Sequence, residues 1–208
     1  MSVAIKSLVA VGSLGTLTGA GFAIKHFVSG ESIKEHLLNS KEYKNRVFLN
    51  SGLQGLKDIL DTYHSSKRTK PNDEKGVPLA KEKLVDWCNG AIGGKYSGKN
   101  NDFDAIVSWC YINVNTFEKE LGDSTKKRIT EAQSTNKDWV DAWKKYSKDK
   151  ETSNLKITGH ERDSALNGNK DTDGQAALKA WCDEKAILKM YIDTAKEDFA
   201  RFEHWCTK

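Results

Sequence analysis

The chain has 208 residues, of which 30% are charged, and this length suits one or two domains that each bury a core. With 33 basic and 29 acidic residues the net charge is only +4, which argues against a nucleic-acid-binding surface. Only two prolines are present, so long helices are compatible with the sequence. None of the four cysteines forms a C-x-x-C pair, and this argues against a structural zinc site.

Residues 7–24 form an uncharged, glycine-rich stretch that lies between Lys6 and Lys25. Charges are strongly disfavoured inside a bilayer, so this stretch predicts a membrane anchor helix over residues 1–28. Two alternatives remain open, a cleaved secretory signal peptide and a buried helix of a soluble protein. Because lysines flank both ends, charge does not decide the orientation of the anchor.

Beyond a predicted linker at 29–47, apolar residues recur at three- and four-residue steps, and no segment alternates convincingly with period two. One such stripe runs through residues 103–121, and the last runs through residues 178–206. The pattern predicts an all-α protein, in which the anchor helix precedes a helical bundle. Clusters of turn residues predict breaks, and the polar segment 153–174 is predicted to be a mobile loop.

An internal repeat is the most informative feature of the sequence. Each copy has a leucine three positions before a Trp-Cys pair, then a phenylalanine six positions before a second Trp-Cys pair. The repeat predicts two related helical units over residues 48–121 and 125–208. The matched residues are Leu84, Trp87, Cys88, Phe103, Trp109 and Cys110 in the first copy and Leu178, Trp181, Cys182, Phe199, Trp205 and Cys206 in the second.

The Trp-Cys pairs have two structural interpretations. A straight helix would hold the cysteines of one unit more than about 30 Å apart, whereas a disulfide needs Cα atoms within about 7 Å. Glycines at 93–98 allow a helical hairpin in the first unit, and Thr194-x-x-Glu197 could begin a new helix in the second. Hairpins would allow Cys88–Cys110 and Cys182–Cys206, one of three connectivities; otherwise Trp and Cys are core residues without a covalent role.

At these residues the chain resembles the paralogous families of roughly 200-residue proteins encoded by haemotropic mycoplasmas, which live on red blood cells. The resemblance rests on the glycine-rich apolar start at 11–21, Trp139-x-x-x-Trp143-x-x-Tyr146, Leu178-x-x-Trp181-Cys182 and Trp205-Cys206-Thr207. It implies a membrane-associated, surface-exposed protein with antigenic diversity, and it implies no known activity.

No catalytic constellation, cofactor site or metal site is expected. Gly93-x-x-x-x-Gly98-Lys99 lacks the Ser or Thr of a phosphate-binding loop. Residues 169–174 resemble the first half of a calcium loop, but Ala180 occupies the position of the bidentate Glu. Trp139, Trp143 and Tyr146 at helical spacing are interpreted as core, with a binding groove as the alternative.

The sequence therefore favours a single-pass membrane protein whose body is displayed outside the cell as a variable antigen or a contact for host or partner proteins. One alternative is an inward-facing structural membrane protein with reduced thiols. The other is a small enzyme or ligand carrier with a pocket between its units.

Overall fold

The structure is a computed structural model that describes residues 30–122 and 124–208. The anchor predicted over 1–28 lies outside the described residues. Within them, no helix combines the length and apolar character needed to cross a bilayer. The elements are α1 (Ile33–Asn39), β1 (Arg46–Phe48), α2 (Leu56–Ser65), α3 (Leu84–Ala91), α4 (Asn101–Trp109), β2 (Tyr111–Asn113), α5 (Phe117–Leu121), α6 (Lys137–Asp149), α7 (Asp163–Leu166), α8 (Asp171–Ala186) and α9 (Ala195–Trp205).

The fold is mostly α-helical, as the periodicity predicts, but it also contains a two-stranded antiparallel sheet. Strand β1 pairs with β2, and Val47 lies opposite Ile112. The expectation that the apolar stripe at 103–121 lies along one helix is therefore wrong. Its apolar stripe runs across three elements, because Asn113 accepts a hydrogen bond from Asn115 N (3.0 Å) in a turn and Thr116 then caps α5.

Buried side chains form two hydrophobic cores, one for each half of the chain. The first contains buried residues of α1 to β2 together with Tyr191 from the second half. The second contains buried residues from Phe117 to Cys206. Because Phe117 and Leu121 belong to the second core, the boundary between the halves lies before α5.

Backbone hydrogen bonds show that the two halves repeat one arrangement. In the first half, Leu49 N donates to the Cys110 carbonyl at 2.9 Å, next to the β1–β2 pairing. In the second half, Ile129 N donates to the Cys206 carbonyl, also at 2.9 Å. An antiparallel bridge between Arg128 and Thr207 stands where the first half has Phe48 opposite Tyr111.

The helix α1 has its counterpart in α5. Ser32 caps α1 and forms an antiparallel bridge with Lys95 in the α3–α4 turn. Thr116 caps α5 and forms the same kind of bridge with Lys189 in the α8–α9 turn. The two repeats therefore begin with α1 and α5, and we describe them below as the first unit (30–113) and the second unit (114–208).

This assignment differs from the linker predicted at 29–47. The segment contains α1 and β1, and the side chain of Leu37 in α1 is fully buried in the first core. Helix α1 exposes most of its surface, and Leu37 is its only buried residue. The helix therefore needs few apolar residues, and the apolar content of the segment is low. A short helix with one buried residue gives too weak a periodic signal to be recognised as part of a core.

The loop predicted at 153–174 is largely packed. It contains α7 and the first turn of α8, and the side chains of Ile157 and Leu166 are 1% and 0% exposed. Polar residues surround these two apolar positions in sequence, which hides them from a periodicity argument. The segment thus packs on the second unit, because its apolar residues fill the second core.

The α8–α9 turn joins the two units. Tyr191 of this turn lies in the first core. Asp193 accepts hydrogen bonds from Ser66 Oγ (2.6 Å) and Arg68 Nε (2.9 Å), and Arg68 also donates to the Tyr191 carbonyl at 2.6 Å. An aromatic side chain and a charge-assisted network therefore fix the second unit against the first.

Helices α6 and α8 approach closely at Gly174. A Cβ atom built at this position would overlap the indole ring of Trp143. The indole N–H of Trp143 donates to Asp171 Oδ1 at 3.0 Å, which fixes the ring against the start of α8. The absence of a side chain at 174 is therefore a packing requirement.

Gly174→Ala is expected to lower the free energy of unfolding by about 1–3 kcal/mol, because the added methyl group forces the buried Trp143 ring to move. Urea denaturation followed by circular dichroism measures the change. Gly90→Ala is the matched control, since Gly90 is also helical but its Cβ would meet nothing within 4 Å. It is expected to stabilise α3 by up to about 1 kcal/mol. Equal effects of the two variants would contradict the packing requirement.

Asp193→Asn is expected to lower the free energy of unfolding by about 1 kcal/mol at neutral pH, a value reduced for solvent screening. Burial raises the pKa of Asp193, but hydrogen bonds from Ser66 and Lys67 and the charge of Arg68 outweigh it, so the pKa lies below the ordinary value of an aspartate. The carboxylate therefore stabilises the fold above its unfolded pKa, and this contribution is lost as the pH falls through the folded pKa.

Urea midpoints between pH 2.5 and pH 7 check this expectation. Asp141→Asn is the control, because Asp141 pairs with Lys137 on the exposed surface of one helix and should contribute little to stability. The role of Asp193 would be contradicted if the Asp193→Asn variant lost as much unfolding free energy between pH 7 and pH 2.5 as the unmodified chain.

Candidate binding surface

The cysteines predicted to pair are bonded in both units. Cys88–Cys110 joins α3 to the end of α4, with a Cα–Cα distance of 5.2 Å. Cys182–Cys206 joins α8 to the end of α9, with a Cα–Cα distance of 5.6 Å. All four cysteines are buried. In the second unit the required break lies between Ala186 and Ala195, and Thr194 begins α9 without the side-chain cap that the sequence suggests.

The second tryptophan of each unit occupies an equivalent buried position. Trp109 and Trp205 are each 1% exposed. The ring of Tyr63 meets Trp109 edge-on at 4.9 Å between centroids, and the ring of Tyr146 meets Trp205 in the same way at 5.1 Å. Tyr63 and Tyr146 therefore occupy equivalent positions in the two units. These tryptophans organise the cores of their units.

The first tryptophan of each unit differs. Trp181 is 2% exposed in the second core. Trp87 is only half-buried and lines an open cavity of about 800 Å³ on the first unit, which we call the Trp87 groove. Of the four tryptophans predicted to be structural, Trp87 is therefore the one with a surface available to a ligand.

The difference follows from the length of one loop. The indole N–H of Trp109 donates to the Thr69 carbonyl, and that of Trp205 donates to the Leu155 carbonyl, each at 2.8 Å, so these carbonyls correspond. From Thr69 the first unit needs 15 positions to reach Leu84, whereas the second needs 23 to reach the equivalent leucine, Leu178. The longer loop contains α7, whereas the first unit has only the short 3-10 helix Lys81–Lys83 between the corresponding positions.

The outer wall of the Trp87 groove is the turn at 72–78. Asn72 and Pro78 form an antiparallel bridge, and Asp73 Oδ1 accepts from Lys75 N at 2.8 Å and from Val77 N at 3.2 Å. Gly76 adopts a φ of +77°, a conformation that favours glycine. Backbone hydrogen bonds and a side-chain cap thus give the wall a defined shape.

The opposite wall is α3, and the floor is Leu79. The hydroxyl of Tyr63 donates to the Leu79 carbonyl at 2.7 Å. Burial raises the pKa of Tyr63 to about 12, so this hydroxyl remains a donor across the physiological range. The apolar floor is therefore tied to the same tyrosine that packs on Trp109.

Charged side chains of both signs line the Trp87 groove. Glu74, Lys75, Lys83 and Asp86 belong to its lining, and their side chains make no hydrogen bond or ion pair with other described residues. An apolar centre surrounded by charged and polar groups is the usual anatomy of a protein-binding site. The geometry fits recognition of an apolar side chain flanked by charges.

The other candidate sites have structural roles. Lys99 pairs with Glu42 at 3.2 Å beside the loop that resembles a phosphate-binding sequence. In the calcium-like segment, Asp171 accepts from Trp143 and Asp173 pairs with Lys170 at 2.9 Å. Among residues 30–122 and 124–208, no three His, Cys, Asp or Glu side chains are grouped to hold a metal ion.

The predicted aromatic stripe on α6 lies in the core. Trp139, Trp143 and Tyr146 are at most 1% exposed, which excludes the alternative of a groove along these three side chains. Sequence reasoning instead missed the residues of the Trp87 groove, since a turn rich in charged residues resembles any surface loop. The unequal spacing before the first Trp-Cys pair, 24 positions from Tyr63 to Trp87 and 35 from Tyr146 to Trp181, was the signal that a segment is missing from the first unit.

No known protein family, curated protein or solved structure matches this chain. The candidate binding surface is therefore assigned from its own geometry.

Removing either disulfide, by Cys88→Ala with Cys110→Ala or by Cys182→Ala with Cys206→Ala, is expected to cost about 3 kcal/mol of stability. The closed loops are similar, with sequence separations of 22 and 24, so the two double variants should lose similar amounts. Urea denaturation with and without a reductant measures the effect. If the reductant leaves the stability of the unmodified chain unchanged while the variants are less stable, the loss comes from the cavity left by the removed sulfur atoms and not from the missing bond.

Proposed function

We propose that this chain is a membrane-tethered interaction protein whose two disulfide-linked units are displayed outside the cell. The observation that carries the proposal is that all four cysteines pair within their own units and none is free in the structure. Disulfides persist in oxidising surroundings and are reduced in most cytosols. An outward-facing body is therefore the location in which this fold keeps its covalent links.

Two features of the sequence support the tether and the display. The uncharged residues 7–24 have the length and composition of a single membrane-spanning segment. The resemblance to the protein families of haemotropic mycoplasmas points to surface exposure, with a variable antigen or a contact for host proteins as the role. The open Trp87 groove offers such a protein a defined recognition surface.

Cysteine reporters on intact cells test the location of the body. The reporters are Lys57→Cys and Lys137→Cys, because these side chains are 90% and 84% exposed and lie in different units. A membrane-impermeant thiol reagent should label both reporters on intact cells without a reductant. The native cysteines should appear as Cys88–Cys110 and Cys182–Cys206 in non-reducing peptide mapping.

The chain without a reporter cysteine is the control for background labelling. Reporters that react only after lysis would place the body inside and overturn the proposal in favour of an inward-facing membrane protein. Native cysteines that react without a reductant once the chain is unfolded would show that the disulfides are absent in the cell, which would remove the proposal's main support.

A further inference from the structure

The second unit shows what covers the face of α8 that corresponds to the Trp87 groove. Helix α7 packs against α8, and the side chain of Leu166 is fully buried in the core that contains Trp181. Just before α7, His160 Nε2 lies 2.9 Å from Glu184 Oε2, and Arg162 lies 3.5 Å from the same carboxylate. The α7 segment therefore lies on the side of α8 that carries Trp181 and, one turn later, Glu184.

The first unit presents the same side of α3 to solvent. Counting from the matched Trp-Cys pairs, Lys83 corresponds to Ala177, and Trp87 corresponds to Trp181. Ala177 of α8 is 4% exposed, whereas Lys83, directly before α3, is exposed and Trp87 of α3 is half-buried. The Trp87 groove thus lies where the second unit places its own short helix.

We propose that the Trp87 groove binds a short amphipathic helix of a partner protein, in the place that α7 fills in the second unit. This inference rests on the proposed role as an interaction protein and assigns the site and the ligand class. The ligand is a helix of one to two turns with a leucine-sized side chain that packs on Trp87 and Leu79. The counterpart of Glu184 in the first unit is Gly90, so a basic residue one turn from that leucine pairs instead with Glu74 or Asp86 of the groove.

The charges of the Trp87 groove fit such a helix. Glu74 and Asp86 have no cationic partner among the described residues, and Lys75 and Lys83 have no anionic one. An amphipathic helix with both signs beside its apolar residue would pair with these groups, while a wholly apolar segment would leave them without partners and desolvated. The lining therefore favours a charged amphipathic helix over a hydrophobic ligand.

The probe is a synthetic, helix-stapled peptide with the sequence of residues 159–168, GHERDSALNG, which carries the basic residue and the leucine of α7. The peptide bears a fluorophore, and its anisotropy is followed during titration with the full chain in detergent micelles. Saturable binding at one site is expected. Trp87→Ala should weaken binding at least ten-fold, and a peptide with alanine in place of its leucine should weaken it to a similar extent.

Ile187→Ala is the matched control variant, because Ile187 is 71% exposed and lies in the second unit, away from the Trp87 groove. It should bind the peptide like the unmodified chain. Asp86→Lys tests the charge of the groove without removing the indole ring and should weaken binding about three-fold at low salt, with a smaller effect at high salt. Urea denaturation of each variant shows whether the fold is retained.

Equal binding by the Trp87→Ala and Ile187→Ala chains would overturn the proposal, since the peptide would then bind elsewhere, for example by replacing α7 in the second unit. No saturable binding to the unmodified chain would overturn it as well. The result is independent of the membrane orientation. If the peptide binds through Trp87 but the body faces the cytoplasm, only the proposal of surface display is refuted. If the body is displayed outside but does not bind the peptide, only the proposed function of the Trp87 groove is refuted.

Discussion

Each unit depends on one disulfide that joins two helices just after their tryptophans. The bond requires the helices to turn back on each other, and this places the second Trp-Cys pair beside the first. The second tryptophan is then buried against a tyrosine, and its N–H reaches a loop carbonyl. The carbonyl of the second cysteine in turn accepts from the segment that follows the first helix of the unit, at Leu49 or Ile129. One covalent link therefore sets the helix pair, the aromatic centre and the closing backbone contact.

Those features explain which parts of the fold the sequence could predict. Tryptophan and cysteine are rare, so matched Trp-Cys pairs carry much information, and distance limits on a disulfide favour hairpins within each unit. Tyr63 and Tyr146 belong to the same centres, because each ring packs edge-on against a buried indole. The sequence therefore predicted the centre of each unit better than its edges.

The edges depend on backbone contacts that leave little trace in the side chains. The bridges Ser32–Lys95 and Thr116–Lys189 define where the units begin, yet any residue can supply an N–H and a carbonyl. Apolar spacing was misleading at 103–121, since a three-residue strand continued the stripe of a helix. The Trp87 groove was also beyond sequence reasoning, because its existence follows from a helix that is present in one unit and missing from the other.

The two units have diverged in the surfaces that they cover. The second unit extends α8 by seven residues before its leucine, from Asp171 to Leu178, and packs α6 and α7 against it. The first unit begins α3 directly at Leu84 and leaves Trp87 beside charged neighbours. The first unit has Lys83 where the second has Ala177, and this charged side chain keeps the groove hydrated. The charged residues beside Trp87 also disfavour self-association through the exposed indole. A tryptophan surrounded by unpaired charges is stable in water, and it still offers a ligand a large apolar contact area at small conformational cost, which is what a binding site requires of its central residue.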